Sequence, residues 1–240
     1  MSFGRVLAVT DFDGTATTGD CMPVVLDRFL DDWPGMYTAA RAEGLGAAAA
    51  VGRGLTSLRV SHEDLVAAFV EVSELRPGLA GFVARVVSGG GEVAVVSAGI
   101  CEAIEAVLRA GGVPAVPVYA GRLTGDAAHG YSFSLDGFGD CPLCGPGFCK
   151  GPVVRRLRRP GHAVVAFGDG ARDLCMAREA DLTFARGELL GLCRRDGLPV
   201  RELTDFDVAG AELEAWLGAG AAGAPGDGAD PGAGGAVRRD

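Results

Sequence analysis

Two short acidic turns hold most of the chemistry in this sequence. VTDFDGT supplies Asp11 and Asp13, and AFGDGARD supplies Asp169 and Asp173. A third segment, VVSAG, ends in Ser97, Ala98 and Gly99, and a fourth, CPLCGPGFCKGP, carries Lys150, the only lysine in the chain. The first three follow apolar runs of strand length, so each lies where a buried strand opens into a turn. Three or four carboxylates gathered in one place repel one another, and a hard divalent cation such as Mg²⁺ relieves that repulsion while attracting an anionic substrate. A hydroxyl with free backbone N–H groups ahead of a helix suits phosphate oxygens. Lysine carries a compact charge on a flexible stem and can touch a carboxylate and a phosphoryl oxygen together, which a rigid guanidinium does less well. In a chain that otherwise uses arginine, one retained lysine points to a need for that geometry.

These groups can meet only if the strands that deliver them are parallel and end on one edge of a sheet. The pattern predicts a strand over Val6 to Thr10, a helix around Leu79 to Ser88, a strand in EVAVVSAG ending at Ser97, and a helix in ICEAIEAVLRAGG. A strand in PAVPVYAG and a hairpin in RLTGDAAHGYSFSLDG follow. Beyond the cysteine loop come a helix in PVVRRLRR, a strand in HAVVAFGDG, a helix in ARDLCMAREA and a strand in DLTFARG. Strands alternating with helices indicate an α/β fold, a doubly wound, mainly parallel Rossmann-like sheet covered on both faces. From about Cys21 to Leu75 the spacing is helical instead, with Pro34 suited to a first turn and Ser61 with Asp64 resembling a capping box. The expected organisation is a catalytic core over 1–19 and 76–217, a small all-helical cap over 20–75 inserted after the first strand, and a Gly/Ala-rich disordered tail over 218–240.

Composition narrows the function. A net charge of -9 with arginines only in small groups argues against nucleic acid as a partner, because phosphate neutralisation supplies most of that affinity. No run of 18 or more apolar residues suggests a membrane span, and no signal-peptide pattern precedes the first strand. Seven cysteines, an odd number, fit a reducing compartment better than a disulfide framework, so the expected location is cytoplasmic.

DFDGT at 11–15, VVSAG with Ser97 and Gly99, the lone Lys150, and GDGARD at 168–173 together resemble the four ordered motifs of haloacid dehalogenase-like phosphatases, from about Val6 to Trp216. A helical insertion between the first two motifs resembles the small cap of the phosphoserine-phosphatase-like branch. LRPG, the cysteine segment and ADLTFARGELLGLCRRDGLP look closest to methylthiopentenyl phosphate phosphatases of methionine salvage. The resemblance implies Asp11 as nucleophile and Asp13 as general acid and base. It implies Mg²⁺ on the Asp11 carboxylate, the Asp13 carbonyl and Asp169, with Asp173 as a ligand directly or through water. Ser97, Ala98, Gly99 and Lys150 would hold the phosphoryl group. Asp13 also separates a phosphatase from a dehalogenase, since a halide leaving group needs no proton. Asp20 stands where phosphoserine phosphatases read the substrate amine, and Cys21 and Met22 are cap candidates beside it, with Trp33 and Met36 further off.

The expected activity is Mg²⁺-dependent hydrolysis of a phosphate monoester of a small hydroxylated metabolite through an aspartyl-phosphate. A phosphotransferase or phosphomutase would use the same intermediate. A different class of reading, a non-catalytic interaction protein organised by a zinc loop, draws on Cys141, Cys144 and Cys149, with His129 or Asp140 as a fourth ligand. Only one C-x2-C pair is present, which favours reduced thiols packed in a loop near the pocket mouth. Cys101, Cys175 and Cys193 fall at helical positions and read as small core residues. His62, His129 and His162 are isolated, and Arg172 reads as a solvated helix position.

Overall fold

Five consecutive apolar or β-branched residues, Val6–Thr10, form the first strand, β1, and every one is buried. Their alternation sorts the molecule into layers. Val6 and Ala8 face a core shared with Phe82, Ile104, Phe206 and Leu213, while Leu7 and Val9 face a second core with Val153, Val154 and Met176. A strand apolar on both faces belongs in the middle of a sheet covered by helices.

The computed structural model describes residues 3–219. After β1 come helices α1 (Cys21–Phe29), α2 (Trp33–Ala42), α3 (Ala47–Ser57), α4 (His62–Val72) and α5 (Leu79–Ser88). Then follow β2 (Glu92–Ile100), α6 (Cys101–Ala110), β3 (Val118–Asp126), β4 (Gly130–Ser134), β5 (Gly139–Cys141), β6 (Gly145–Cys149) and α7 (Gly151–Leu157). The chain continues with β7 (Ala163–Gly168), α8 (Leu174–Ala177), β8 (Leu182–Ala185), α9 (Gly187–Arg195), β9 (Val200–Glu202) and α10 (Phe206–Gly218). The main sheet has seven strands in the order β4-β3-β2-β1-β7-β8-β9, and β5 and β6 form a separate ribbon. All pairs in the main sheet are parallel except β3 with β4. The chain winds from β1 outward through β2 and β3, then crosses to β7 on the other side. The carboxyl ends of β1, β2 and β7 therefore meet at a switch of winding direction, where such sheets open a crevice. The expected doubly wound α/β sheet is present.

One face is filled by aromatic rings. Phe167 stacks on Phe184 with centroids 5.1 Å apart and meets Phe82 and Phe206, each at 5.2 Å. This cluster backs β7 and fixes the strand that leads to Asp169.

Of the five helices between β1 and β2, the first four, α1 to α4, fill the stretch whose spacing is helical in the sequence. Asp20, Asp32 and Ser61 cap α1, α2 and α4 by accepting the N–H groups of Met22, Gly35 and Asp64. The helix α3 escapes a periodicity reading because its sequence is Ala- and Gly-rich, and tertiary packing defines it. A Cβ on Gly54 would stand 2.5 Å from the buried Trp33 ring. Both passages into this region lie side by side. Thr17 bridges Leu75, the Thr18 N–H reaches the Glu74 carbonyl at 2.8 Å, and the Arg76 N–H reaches the Ala16 carbonyl at 2.8 Å.

Three local expectations need correction. The second strand continues past Ser97 to Ile100, because Ile100 pairs with Gly121 across an irregularity in register. Ala98 and Gly99 thus lie in the strand, and α6 starts at Cys101. The expected helix in ARDLCMAREA is a tight turn over Ala171–Asp173 followed by the four-residue α8. At the C-terminus, Gly218 closes α10, and the rest of the expected tail, 220–240, lies outside the described residues.

Candidate active site

Asp11 is the first residue beyond β1, and its N–H donates to the Phe167 carbonyl of β7 at 2.9 Å. The turn it opens is wide. The Thr17 N–H reaches back to the Phe12 carbonyl at 3.0 Å, and Gly14 adopts φ +74. Glycine is needed here for two reasons, since that φ strains other residues and a Cβ would lie 2.4 Å from Asp169 Oδ2. Arg76 holds the same turn from beneath. Its buried guanidinium donates to the carbonyls of Thr15, Gly14 and Thr17 at 2.7, 2.8 and 3.0 Å. Arg186 adds a bond to the Gly14 carbonyl at 2.9 Å.

Inside this frame the charged groups converge. Lys150, the residue immediately before α7, is only 4% exposed. Its Nζ lies 2.7 Å from Asp11 Oδ1 and 2.7 Å from Asp173 Oδ1. Asp173 is itself held by the N–H groups of Asp169 and Gly170, which donate to its Oδ2 at 3.0 and 3.2 Å. Asp169 accepts the Thr15 hydroxyl at 3.2 Å. Asp13 Oδ1 accepts the Cys21 N–H at 3.0 Å. Ser97 is buried, and its Oγ accepts the Gly99 N–H at 3.1 Å, which leaves the hydroxyl proton available to a ligand.

The electrostatics follow from crowding in a dry place. Burial, then the nearby Asp173 charge, push the Asp11 carboxyl up to about 8 even with Lys150 beside it. Burial and then Asp20 push Asp13 up to about 7. Asp169 is raised by burial and by Asp173. Burial would lower Lys150, but Asp11 and Asp173 reverse that effect and hold its ammonium protonated above the ordinary lysine value.

Asp11, Asp169 and Asp173 each present a carboxylate oxygen, all within 4.8 Å of one another. One ammonium among three carboxylates leaves negative charge uncompensated, and the donors are all hard oxygens. The residues therefore fit Mg²⁺.

Asp11, Asp13, Ser97, Ala98, Gly99, Lys150, Asp169 and Asp173 all line one cavity of about 630 Å³. Asp20 and Met22 line it too, as does Arg172, which is exposed but faces the cavity rather than bulk solvent alone. Cys21 contributes its N–H to Asp13 while its thiol meets the Ser73 hydroxyl at 3.1 Å. Trp33 and Met36 pack into the hydrophobic core instead of the cavity wall. Arg76 and Arg186 escaped sequence reasoning. LRPG was visible as a motif, but a guanidinium stapling three carbonyls depends on a turn shape that spacing does not reveal.

The cysteines are arranged differently from the expectation. Neither His129 nor Asp140 joins Cys141, Cys144 and Cys149. The His129 ring sits on Asp126 at 2.9 Å, and Asp140 accepts the Gly147 N–H at 2.6 Å. The fourth member is Cys175, read from sequence as a core residue, which α8 turns toward the other three. Cys193 does pack in a small apolar cluster with Leu174 and Leu189.

A doubly wound sheet whose central strand delivers an acidic pair, with a buried lysine and a second acidic pair beside it, defines a hydrolase of the haloacid dehalogenase type. The family model described as haloacid dehalogenase-like hydrolase matches residues 8–178, and the chain belongs to that family. Among curated relatives, a 2-hydroxy-3-keto-5-methylthiopentenyl-1-phosphate phosphatase of Geobacillus kaustophilus is 30% identical over 210 residues, covering 85% of this chain and 94% of the relative. The bifunctional enzyme MtnB/MtnX of Bacillus licheniformis is 30% identical over 226 residues, covering 89% of this chain, which spans about half, 52%, of that protein. Among solved structures, phosphoserine phosphatase from T. onnurineus superposes with TM-score 0.60 at 17% identity, over 89% of this chain and 96% of its own. That likeness concerns the fold. The resemblance seen in the four motifs thus holds, and the chain is an enzyme of this family.

Proposed function

We propose that this hydrolase is a Mg²⁺-dependent phosphatase that cleaves the phosphate monoester of a small hydroxylated metabolite through an aspartyl-phosphate on Asp11. The observation that carries the reading is the convergence of Asp11, Asp13, Ser97, Lys150, Asp169 and Asp173 on one cavity at the carboxyl ends of adjacent parallel strands. In the first step an Asp11 carboxylate oxygen attacks phosphorus and the bond to the leaving oxygen breaks. Asp13, as the acid, gives its proton to that oxygen and releases the alcohol. In the second step the Asp13 carboxylate takes a proton from water as the water oxygen attacks phosphorus, freeing inorganic phosphate and restoring Asp11. A carboxyl raised to about 7 holds and returns a proton near neutrality.

Ser97 and Lys150 hold the transferring phosphoryl oxygens, aided by the backbone at Ala98 and Gly99. The Asp11 and Asp169 carboxylates and the Asp13 carbonyl would hold Mg²⁺, with Asp173 directly or through water. When bound there, the ion neutralises charge on nucleophile and phosphate.

The cavity joins this charged floor to an apolar wall that includes Met22, Val51, Phe133 and Leu143. Such a wall suits a small phosphate ester with a short apolar arm. Because the relatives are named for it, 2-hydroxy-3-keto-5-methylthiopentenyl-1-phosphate is the first compound to test, with sugar phosphates and phosphoserine beside it. All seven cysteines are unpaired, which supports a reducing, cytoplasmic setting. Among the described residues no helix is long and apolar enough to cross a membrane. The test is release of inorganic phosphate with Mg²⁺ and no added acceptor. Transfer only when a second alcohol is supplied would identify a phosphotransferase instead, and isomerisation without release a phosphomutase.

A further inference from the structure

The ribbon β5–β6 is short and separate from the main sheet, yet it delivers Lys150 to the site. Four thiols gather where it meets α8. The Sγ atoms of Cys141, Cys144, Cys149 and Cys175 all lie within 4.8 Å of one another, with Cys141 and Cys144 at 3.6 and 3.8 Å from Cys175. None of the four belongs to a hydrophobic cluster of the described residues, whereas Cys21 and Cys193 do. Thiols acting as small apolar fillers would be mixed with Leu and Val, but these face each other.

We infer that Cys141, Cys144, Cys149 and Cys175 form a tetrathiolate site for a structural Zn²⁺ ion. A regular tetrahedron with Zn–S bonds of about 2.3 Å has edges of about 3.8 Å, close to the separations found here. The turn between β5 and β6 is shaped for the purpose. Cys141 and Gly145 pair across the ribbon, Gly145 takes φ +86, and the Cys144 N–H points at Cys141 Sγ from 3.1 Å. An N–H aimed at a sulfur stabilises thiolate, the form that binds metal. Two ligands come from a C-x2-C turn, the third precedes Lys150 in the chain, and the fourth follows Asp173 by two positions. Zinc at this point ties the loop that carries the lysine to the loop that carries the acids, so it would brace the ion pair between Lys150 and Asp173. Four sulfur ligands with no open position describe a structural rather than a catalytic ion, separate from the oxygen-lined Mg²⁺ site.

The inference stands on the cysteine geometry and does not depend on the phosphatase reading, because its test needs no substrate. The full chain is expressed with zinc and iron in the medium, purified under a thiol reductant and assayed by elemental mass spectrometry. The expected content is one zinc per chain, lost in Cys175→Ser and kept in Cys193→Ser. Cobalt exchanged into the unaltered chain should give the intense thiolate charge-transfer and visible bands of a tetrahedral sulfur site. Unaltered, folded protein that contains no zinc, carries iron in its place, or shows a disulfide among the four thiols would overturn the inference, whether or not the variant folds.

Discussion

Replacing Lys150 by methionine removes the charge while keeping most of the side-chain volume, and two effects follow from the same contacts. The ammonium meets Asp11 and Asp173 at 2.7 Å each. At an effective dielectric of about 20 each contact is worth about 6 kcal/mol of gross attraction. Desolvation of the buried ions offsets several kcal/mol of the total, so breaking the cluster should cost a net ~3–5 kcal/mol of stability. At about 2–4 °C per kcal/mol for a chain of this size, the melting midpoint should fall by on the order of 10 °C. Catalysis should suffer separately, because Lys150 would stabilise charge on the transferring group. Loss of one such donor lowers kcat by ~10²–10³. Calorimetry and steady-state phosphate release at saturating Mg²⁺, below the variant's melting range, read the two effects independently. Lys150→Arg should also impair turnover, since a planar guanidinium does not fit a site shaped for one nitrogen and overpacking costs about 1–3 kcal/mol. A Lys150→Met protein that melts lower but turns over within a few-fold of the unaltered enzyme would refute the phosphate-binding role. An unchanged midpoint would refute the buried pairing.

Arg76→Met should destabilise the chain by about 3 kcal/mol or more, because three carbonyls lose charged donors in a buried turn, a change measurable from the urea midpoint. Gly14→Ala places a methyl on Asp169 and should weaken Mg²⁺ binding about 10–100-fold, read by titration calorimetry. Stability should also depend on pH and metal together. Without metal the folded pKa values of Asp11 and Asp13, about 8 and about 7, lie above their unfolded values, so the folded state binds more protons in this window and loses stability as pH rises through it. Mg²⁺ takes the deprotonated carboxylates, so the rise in melting midpoint on adding Mg²⁺ should be larger at about pH 8 than at about pH 5.5. An equal rise at both values would contradict the site's electrostatics.

Much of this arrangement is legible in the sequence because it is local. VLAVT followed by DFDG is a buried strand running into a glycine turn, and AVVAFG followed by DGARD repeats that form, so the sequence alone places both acidic pairs at strand ends. Lys150 stood out through composition alone. What stayed hidden depends on tertiary contact. Cys175 is 26 residues beyond Cys149, and only the turn at Ala171–Asp173 swings its thiol back to the ribbon. Ser97 was read as a strand end because small residues follow it, whereas pairing with β3 carries the strand on to Ile100. Arg76 donates to carbonyls that converge only once the Asp11 turn has formed.

The central claim is that Asp11 is phosphorylated during turnover. With Mg²⁺ and a phosphate monoester that the enzyme accepts, an acid-quenched reaction analysed by peptide mass spectrometry should show a transient phosphoryl adduct on the peptide containing Asp11. Asp11→Asn should fold, form no adduct and release no phosphate, while Asp13→Asn, which removes the acid of the first step and the base of the second, should slow phosphate release with any adduct still on Asp11. Sustained phosphate release by Asp11→Asn, or an adduct mapped to another residue, would contradict the account.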